Sequence, residues 1–181
     1  MIHSYHVTAI VLKRSKYGEA DRIVTLFTRE VGKLKVLAKG VRKITSKRLG
    51  SLEVGSLLKA QVINGKGMDI LSQTVIENSF SNLKQDLTSV TQLYQLLEVI
   101  DCLTVENQEL PDIFDLLNST LDQLTLTTNR KAILLKAFKQ ITLLLGFTPP
   151  QDFSELTLKN YIESISERTL KSKDYLNTHN S

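Results

Sequence analysis

The hydrophobic period of this chain changes once, near Asn78, from that of a strand to that of a helix, which makes it an α+β protein in two parts. In residues 5–12 the apolar side chains are Val7, Ala9, Ile10, Val11 and Leu12, a β-branched run that turns at Lys16-Tyr17-Gly18-Glu19. A second strand is predicted over residues 22–28, followed by a hairpin turn at residues 29–33 in which Gly32 supplies a positive φ. From Lys33 to Gly40 the pattern alternates Lys33 and Lys35 with Leu34 and Val36, giving one cationic and one apolar face. Strands resume over residues 56–63, turn at Asn64-Gly65-Lys66-Gly67 and continue over residues 68–75. Five short strands with Gly-marked turns and no helix-length apolar pattern predict a small closed barrel, a form that removes exposed strand edges.

Beyond Asn78, Leu83, Leu87, Val90, Tyr94, Leu97 and Cys102 recur at helical spacing. Pro111 opens a second helix through Ile113, Phe114, Leu117, Leu121 and Leu124, and a third over residues 130–145 is capped by Gly146 and stopped by Pro149-Pro150. Ser154-Glu155 starts a fourth. The expected domains are therefore residues 1–79, a five-stranded barrel, and residues 80–181, all helical.

Charge divides along the same line. Residues 1–80 hold 14 Lys and Arg against 6 Asp and Glu, whereas residues 81–181 hold 9 against 13. The basic half is the one expected to meet a polyanion. No apolar run approaches the length of a membrane span, and the N-terminus lacks the apolar core of a signal peptide, so a cytoplasmic protein is expected. Cys102 is the only cysteine; no intrachain disulfide can form, and a small buried core residue is expected there. His3, His6 and His179 offer no catalytic constellation, and neither phosphate-loop nor dinucleotide-loop glycine motifs occur. The acidic residues Glu98, Asp101, Glu106, Glu109, Asp112 and Asp115 read as a solvated helix face. No enzyme, cofactor or metal site is expected.

The sharpest local feature is the window from Lys33 to Arg48, with Lys33, Lys35, Lys39, Arg42, Lys43, Lys47 and Arg48 and not one carboxylate. Cations on a strand face and an adjoining loop of a small barrel suit phosphate contacts that give affinity without sequence readout. Lys13, Arg14, Lys16 and Arg22 form the next cluster, with Arg14 and Arg22 counted among the candidate nucleic-acid ligands. In the helical half Arg130, Lys131, Lys136 and Lys139, beside Leu135, Phe138 and Leu143, are the candidate ligands for an acidic, hydrophobic peptide. An RNA-binding or translation-associated barrel, or a scaffold, would share most of these features.

The series Ala9-Ile10-Val11-Leu12, Tyr17-Gly18-Glu19-Ala20-Asp21-Arg22-Ile23-Val24, Leu26-Phe27-Thr28, Gly32-Lys33, Ala38-Lys39-Gly40-Val41-Arg42-Lys43 and Ser46-Lys47 resembles the N-terminal signature of the bacterial RecO family. Leu143-Leu144-Leu145-Gly146-Phe147-Thr148-Pro149 and residues 170–176 resemble its later segments. The resemblance implies an OB-fold barrel followed by a helical domain, binding to single- and double-stranded DNA, and annealing of complementary strands. It also implies a role with RecR in loading RecA onto DNA covered by single-strand-binding protein, whose C-terminal tail would meet the helical half. Many members of that family carry a zinc-binding cysteine cluster after the Gly-Phe-x-Pro segment; here Pro150 leads through Gln151-Asp152-Phe153 into a helix, and no zinc is expected.

Overall fold

A computed structural model describes residues 3–42, 50, 52–127, 129–150 and 154–171, the side chains of Glu155 and Leu156 excepted. Five strands, β1 (Ser4–Tyr17), β2 (Asp21–Thr28), β3 (Gly32–Ala38), β4 (Leu57–Ile63) and β5 (Asp69–Asn78), close into a barrel in the order β1-β2-β3-β5-β4. Four α-helices follow: α1 (Leu87–Leu103), α2 (Pro111–Leu126), α3 (Arg130–Leu144) and α4 (Glu155–Ser166), with a short 3-10 turn at Ser81–Lys84 before α1. This is the expected barrel followed by helices. By compactness the chain divides into residues 1–79 with 105–114, and residues 80–104 with 115–181, so a ten-residue excursion that includes the first turn of α2 joins the barrel.

The barrel core follows from the two-residue period of its strands. Val7, Ala9 and Val11 of β1, Val24 and Leu26 of β2, Leu34, Val36 and Ala38 of β3, Leu58, Ala60 and Val62 of β4 and Leu71 of β5 form one buried cluster, joined by Val41 and Leu52 from the connection between β3 and β4. β1 is longer than its apolar run predicts. A bulge between Val11 and Lys13 shifts its register, and the strand then pairs with β2 out to Tyr17↔Asp21, carrying Arg14 and Lys16 beyond the core.

Two glycines deserve separate physical reasons. Gly32 takes φ +72, as the turn requires, and the carbonyl oxygen of Gln108 lies 1.7 Å from where a Cβ would stand, so only glycine lets the 105–114 segment close on β3. The turn expected at Asn64-Gly65-Lys66-Gly67 is the loop of residues 64–68 that joins β4 to β5, and Gly65 is not among the glycines of positive φ. Its constraint is close approach: a Cβ would meet the Met68 carbonyl oxygen at 2.0 Å.

The helical unit buries Leu93, Leu96, Leu97 and Ile100 of α1, Leu117, Leu121 and Leu124 of α2, Leu134, Phe138 and Ile141 of α3, and Leu158 and Ile162 of α4, at the three- and four-residue spacings of one helix face. Side chains cap the starts of α1 and α4. Asp86 accepts from Ser89 N at 2.9 Å at the start of α1, and Ser154 with Thr157 forms a capping box on α4. Gly146, at φ +83, ends α3, with Phe147 N donating to Thr142 O at 2.9 Å. Cys102 departs from the expected core position: it is half-buried, and burial, followed by the nearby Glu98 and Asp101 charges, raises its thiol pKa. His6 is exposed beside buried Val7.

Candidate nucleic-acid interface

The cations of the first half separate into two regions. On β3 the predicted cationic face is partly closed. Phe27 and Lys33 are direct partners in the β2–β3 ladder and therefore share a face, and both are buried. Lys33 is only 5% exposed and is not a solvent-facing cation, which corrects the expectation from simple alternation. The reason is the 105–114 excursion. Residue Glu106 bridges Lys33 in parallel fashion, Asn107 N donates to Lys33 O at 2.9 Å, and the Phe114 ring lies 6.2 Å from that of Phe27. Lys35, two residues on, remains exposed, but its Nζ pairs with Glu106 Oε1 at 2.5 Å.

At the far end of the β1–β2 hairpin the arrangement is the opposite. Arg14 faces Val24 and Lys16 faces Arg22 across the ladder, while Arg22 also faces Ala38 on β3. By register these cations lie on the side that carries Val24 and Ala38 inside the barrel, just past the core. Burial, then the charges of Arg14 and Arg42, lower the pKa of Arg22 below the usual arginine value. That response identifies three guanidinium groups within electrostatic range of one another. The Arg22 Nε is buried and has no hydrogen-bond partner among the described residues.

Three hydrogen bonds lock the loops that hold this cluster. Gly40 N donates to Asp21 Oδ1 at 2.7 Å, Arg42 N to Ala20 O at 2.9 Å, and Arg42 Nη1 to Gly18 O at 3.2 Å. Arg14 Nη1 reaches Leu52 O at a long 3.4 Å. Lys39 is exposed at the end of β3, next to the Gly40 turn. Lys43, Lys47 and Arg48, the rest of the predicted window, lie outside the described residues. Charge density along the chain favours Lys33 and Lys35 over Arg14 and Arg22, because the bulge that carries β1 past the core leaves no mark in it.

In the helical unit Arg130 is tied into the fold: Nε donates to Leu124 O at 2.9 Å and Nη1 to Ser89 Oγ at 2.5 Å, with Asp86 Oδ2 at 3.9 Å. It thus serves the end of α2 and the start of α1. Lys131, Lys136 and Lys139 are exposed on α3, where Lys136, Lys139 and Leu143 fall on one side at helical spacing and Leu143 is 52% exposed. Among the described residues no three His, Cys, Asp or Glu side chains gather as a metal site would require, and no helix is long and apolar enough to cross a membrane.

The strand order, with β3 and β5 joined in parallel and β1 closing on β4, defines an OB-fold barrel, the class of small domain that presents strands and loops to oligonucleotides. The family model described as "Recombination protein O N terminal" matches residues 1–80. The chain is 35% identical to the DNA repair protein RecO of Desulfitobacterium hafniense over 117 residues, which is 65% of this chain and 43% of that protein. It is 32% identical to the RecO of Symbiobacterium thermophilum over 146 residues, 80% of this chain and 58% of the other, and 34% identical to that of Dehalococcoides mccartyi over 126 residues, 70% and 50%. Residues 1–80 are a RecO N-terminal domain, and the chain is similar to RecO proteins over up to 80% of its length. It spans about half the length of these relatives.

Proposed function

We propose that this chain acts in DNA repair and recombination as a DNA-binding mediator without catalytic residues. It binds single- and double-stranded DNA, anneals complementary strands and, with RecR, helps load RecA onto DNA coated by single-strand-binding protein, in the cytoplasm at the nucleoid. Residues 1–79 form the DNA-binding domain and residues 80–181 the helical domain. The observation that carries this reading is the crowded cluster of Arg14, Arg22 and Arg42 at one end of an OB-fold barrel that is a RecO N-terminal domain. Like-charged groups held together, one with a donor that finds no partner among the described residues, gain when a phosphate arrives between them. Lys39 extends the surface, and Lys43, Lys47 and Arg48 continue it in sequence. Lys131, Lys136 and Lys139 of α3 receive the acidic tail of single-strand-binding protein; Arg130, held by its own fold, supports them rather than reaching out.

The test is DNA affinity against salt for the whole chain. Each lost single-strand phosphate contact lowers the slope of log affinity against log salt by about 0.7. The Lys39, Arg42, Lys43 and Lys47 to Ala variant should bind weakly with a flatter slope, melt as the parent does and anneal coated strands poorly. An unchanged slope and unchanged annealing would refute the assignment, and tighter binding to RNA than to DNA of the same sequence would favour an RNA-binding role.

A further inference from the structure

Phosphate contacts carry no base information, and nothing in them favours a single strand over the more densely charged duplex. Discrimination needs a surface for an unpaired base, and an exposed aromatic ring beside cations supplies one. The first 80 residues hold four aromatics. Phe27 and Phe80 are buried, and Tyr5 is partly buried with its hydroxyl donating to Asp69 Oδ2 at 2.7 Å. Tyr17 alone of the four is open, at 53% exposure, and it stands where β1 enters the hairpin turn.

Its surroundings are those of a base platform. Tyr17 faces Asp21 in the ladder, one position beyond the Lys16↔Arg22 pair, and is followed by Gly18, whose carbonyl oxygen receives the Arg42 guanidinium at 3.2 Å. The residue that Arg42 holds is thus the next in the chain after Tyr17, and the Arg42 charge also acts on Arg22. Lys39 is exposed just past the Arg22↔Ala38 pair, next to Gly40, whose N–H donates to Asp21 Oδ1 at 2.7 Å. The turn is stiff, braced by Arg42 N on Ala20 O and by Asp21 on Gly40 N, so little ordering remains to be done when a nucleotide lands. Asp21 spends one oxygen on that brace; Glu19, exposed at the tip, is the other carboxylate of the turn.

We infer that Tyr17 stacks on an unpaired base while Arg42 and Lys39 hold the adjoining phosphates, so that the β1–β2 hairpin tip is the element that prefers single-stranded nucleic acid to duplex. The inference rests on the DNA-binding reading above but concerns the base and not the charge. The measurement uses the full chain with three probes of equal length: an oligothymidylate, an abasic strand carrying the same phosphates, and a duplex. The parent should bind oligothymidylate roughly 5- to 150-fold more tightly than the abasic strand, the range expected for one stacked base.

Tyr17→Ala should abolish that preference while leaving abasic and duplex affinities and all salt slopes as they were; Tyr17→Phe should retain it. Equal weakening toward all three probes, or no change toward oligothymidylate, would overturn the stacking role. Failure of the charge reading looks different. Replacing Arg14, Arg22 and Arg42 would then leave every slope unaltered, while the Tyr17 comparison would still give its own answer.

Discussion

The two cationic regions of the barrel carry similar residues and opposite environments. On β3, Lys33 is buried under the 105–114 excursion and Lys35 has a carboxylate from Glu106 at 2.5 Å. At the hairpin end, burial and then the charges of Arg14 and Arg42 lower the Arg22 pKa, and among the described residues the buried Arg22 Nε has no hydrogen-bond partner. Positive charge in a sequence is therefore not yet a phosphate site. What distinguishes the regions is compensation: the first has been absorbed into the fold, and the second still has binding free energy to gain from an anion.

Four expectations follow, the largest on the covered side. Phe27 is fully buried against Phe114, so Phe27→Ala should destabilise the protein by about 3–5 kcal/mol, measured by denaturant melting; a loss below about 1 kcal/mol would show that the excursion contributes no packing to β2 and β3. At the hairpin end, replacing Arg14, Arg22 and Arg42 together should flatten the single-strand salt slope by about 2, yet the melting transition should change little, because relief of the repulsion on Arg22 offsets loss of the Arg42–Gly18 and Arg14–Leu52 hydrogen bonds. A marked fall in melting temperature would make the cluster structural.

A smaller effect separates the regions from the other direction. Glu106→Gln removes the partner of Lys35, so the salt slope should steepen by no more than about 0.7, with stability changed by less than about 1 kcal/mol as for other exposed pairs. A steeper rise would mean that the excursion masks a larger DNA surface. The smallest effect lies outside both regions. Burial, then the Asp69 hydrogen bond and its charge, raise the Tyr5 phenol pKa above its ordinary value. The neutral phenol is thus the form the fold prefers: this stability is fully present below about pH 10, the unfolded value, and is lost as pH rises through the folded one. Tyr5→Phe should flatten that alkaline decline, and an identical pH profile would remove the hydrogen bond from the picture.

Much of the fold was legible because period and punctuation agreed. Val7 through Leu12, the Gly32 turn and the alternation of Leu34 and Val36 marked strands; Pro111, Gly146 and Ser154 marked helix ends, and the structure uses all three there. The site was less legible for two physical reasons. Alternation assigns Lys33 to a face but cannot say that residues distant in sequence will cover that face. The β1 bulge likewise depends on register with β2, and it alone carries Arg14 and Lys16 beyond the core to meet Arg22. Arg130 shows the same limit, since only the packed helices reveal that its donors are spent on Leu124 and Ser89.

The difference between the regions is tested most directly by measuring single-strand affinity across a salt series for two variants side by side, Arg42→Ala and Lys35→Ala. If the hairpin end binds DNA and the β3 face is already compensated, the slope should fall by about 0.7 for Arg42→Ala and stay unchanged for Lys35→Ala. A flatter slope for Lys35→Ala with none for Arg42→Ala would place the phosphates on β3 and contradict the assignment.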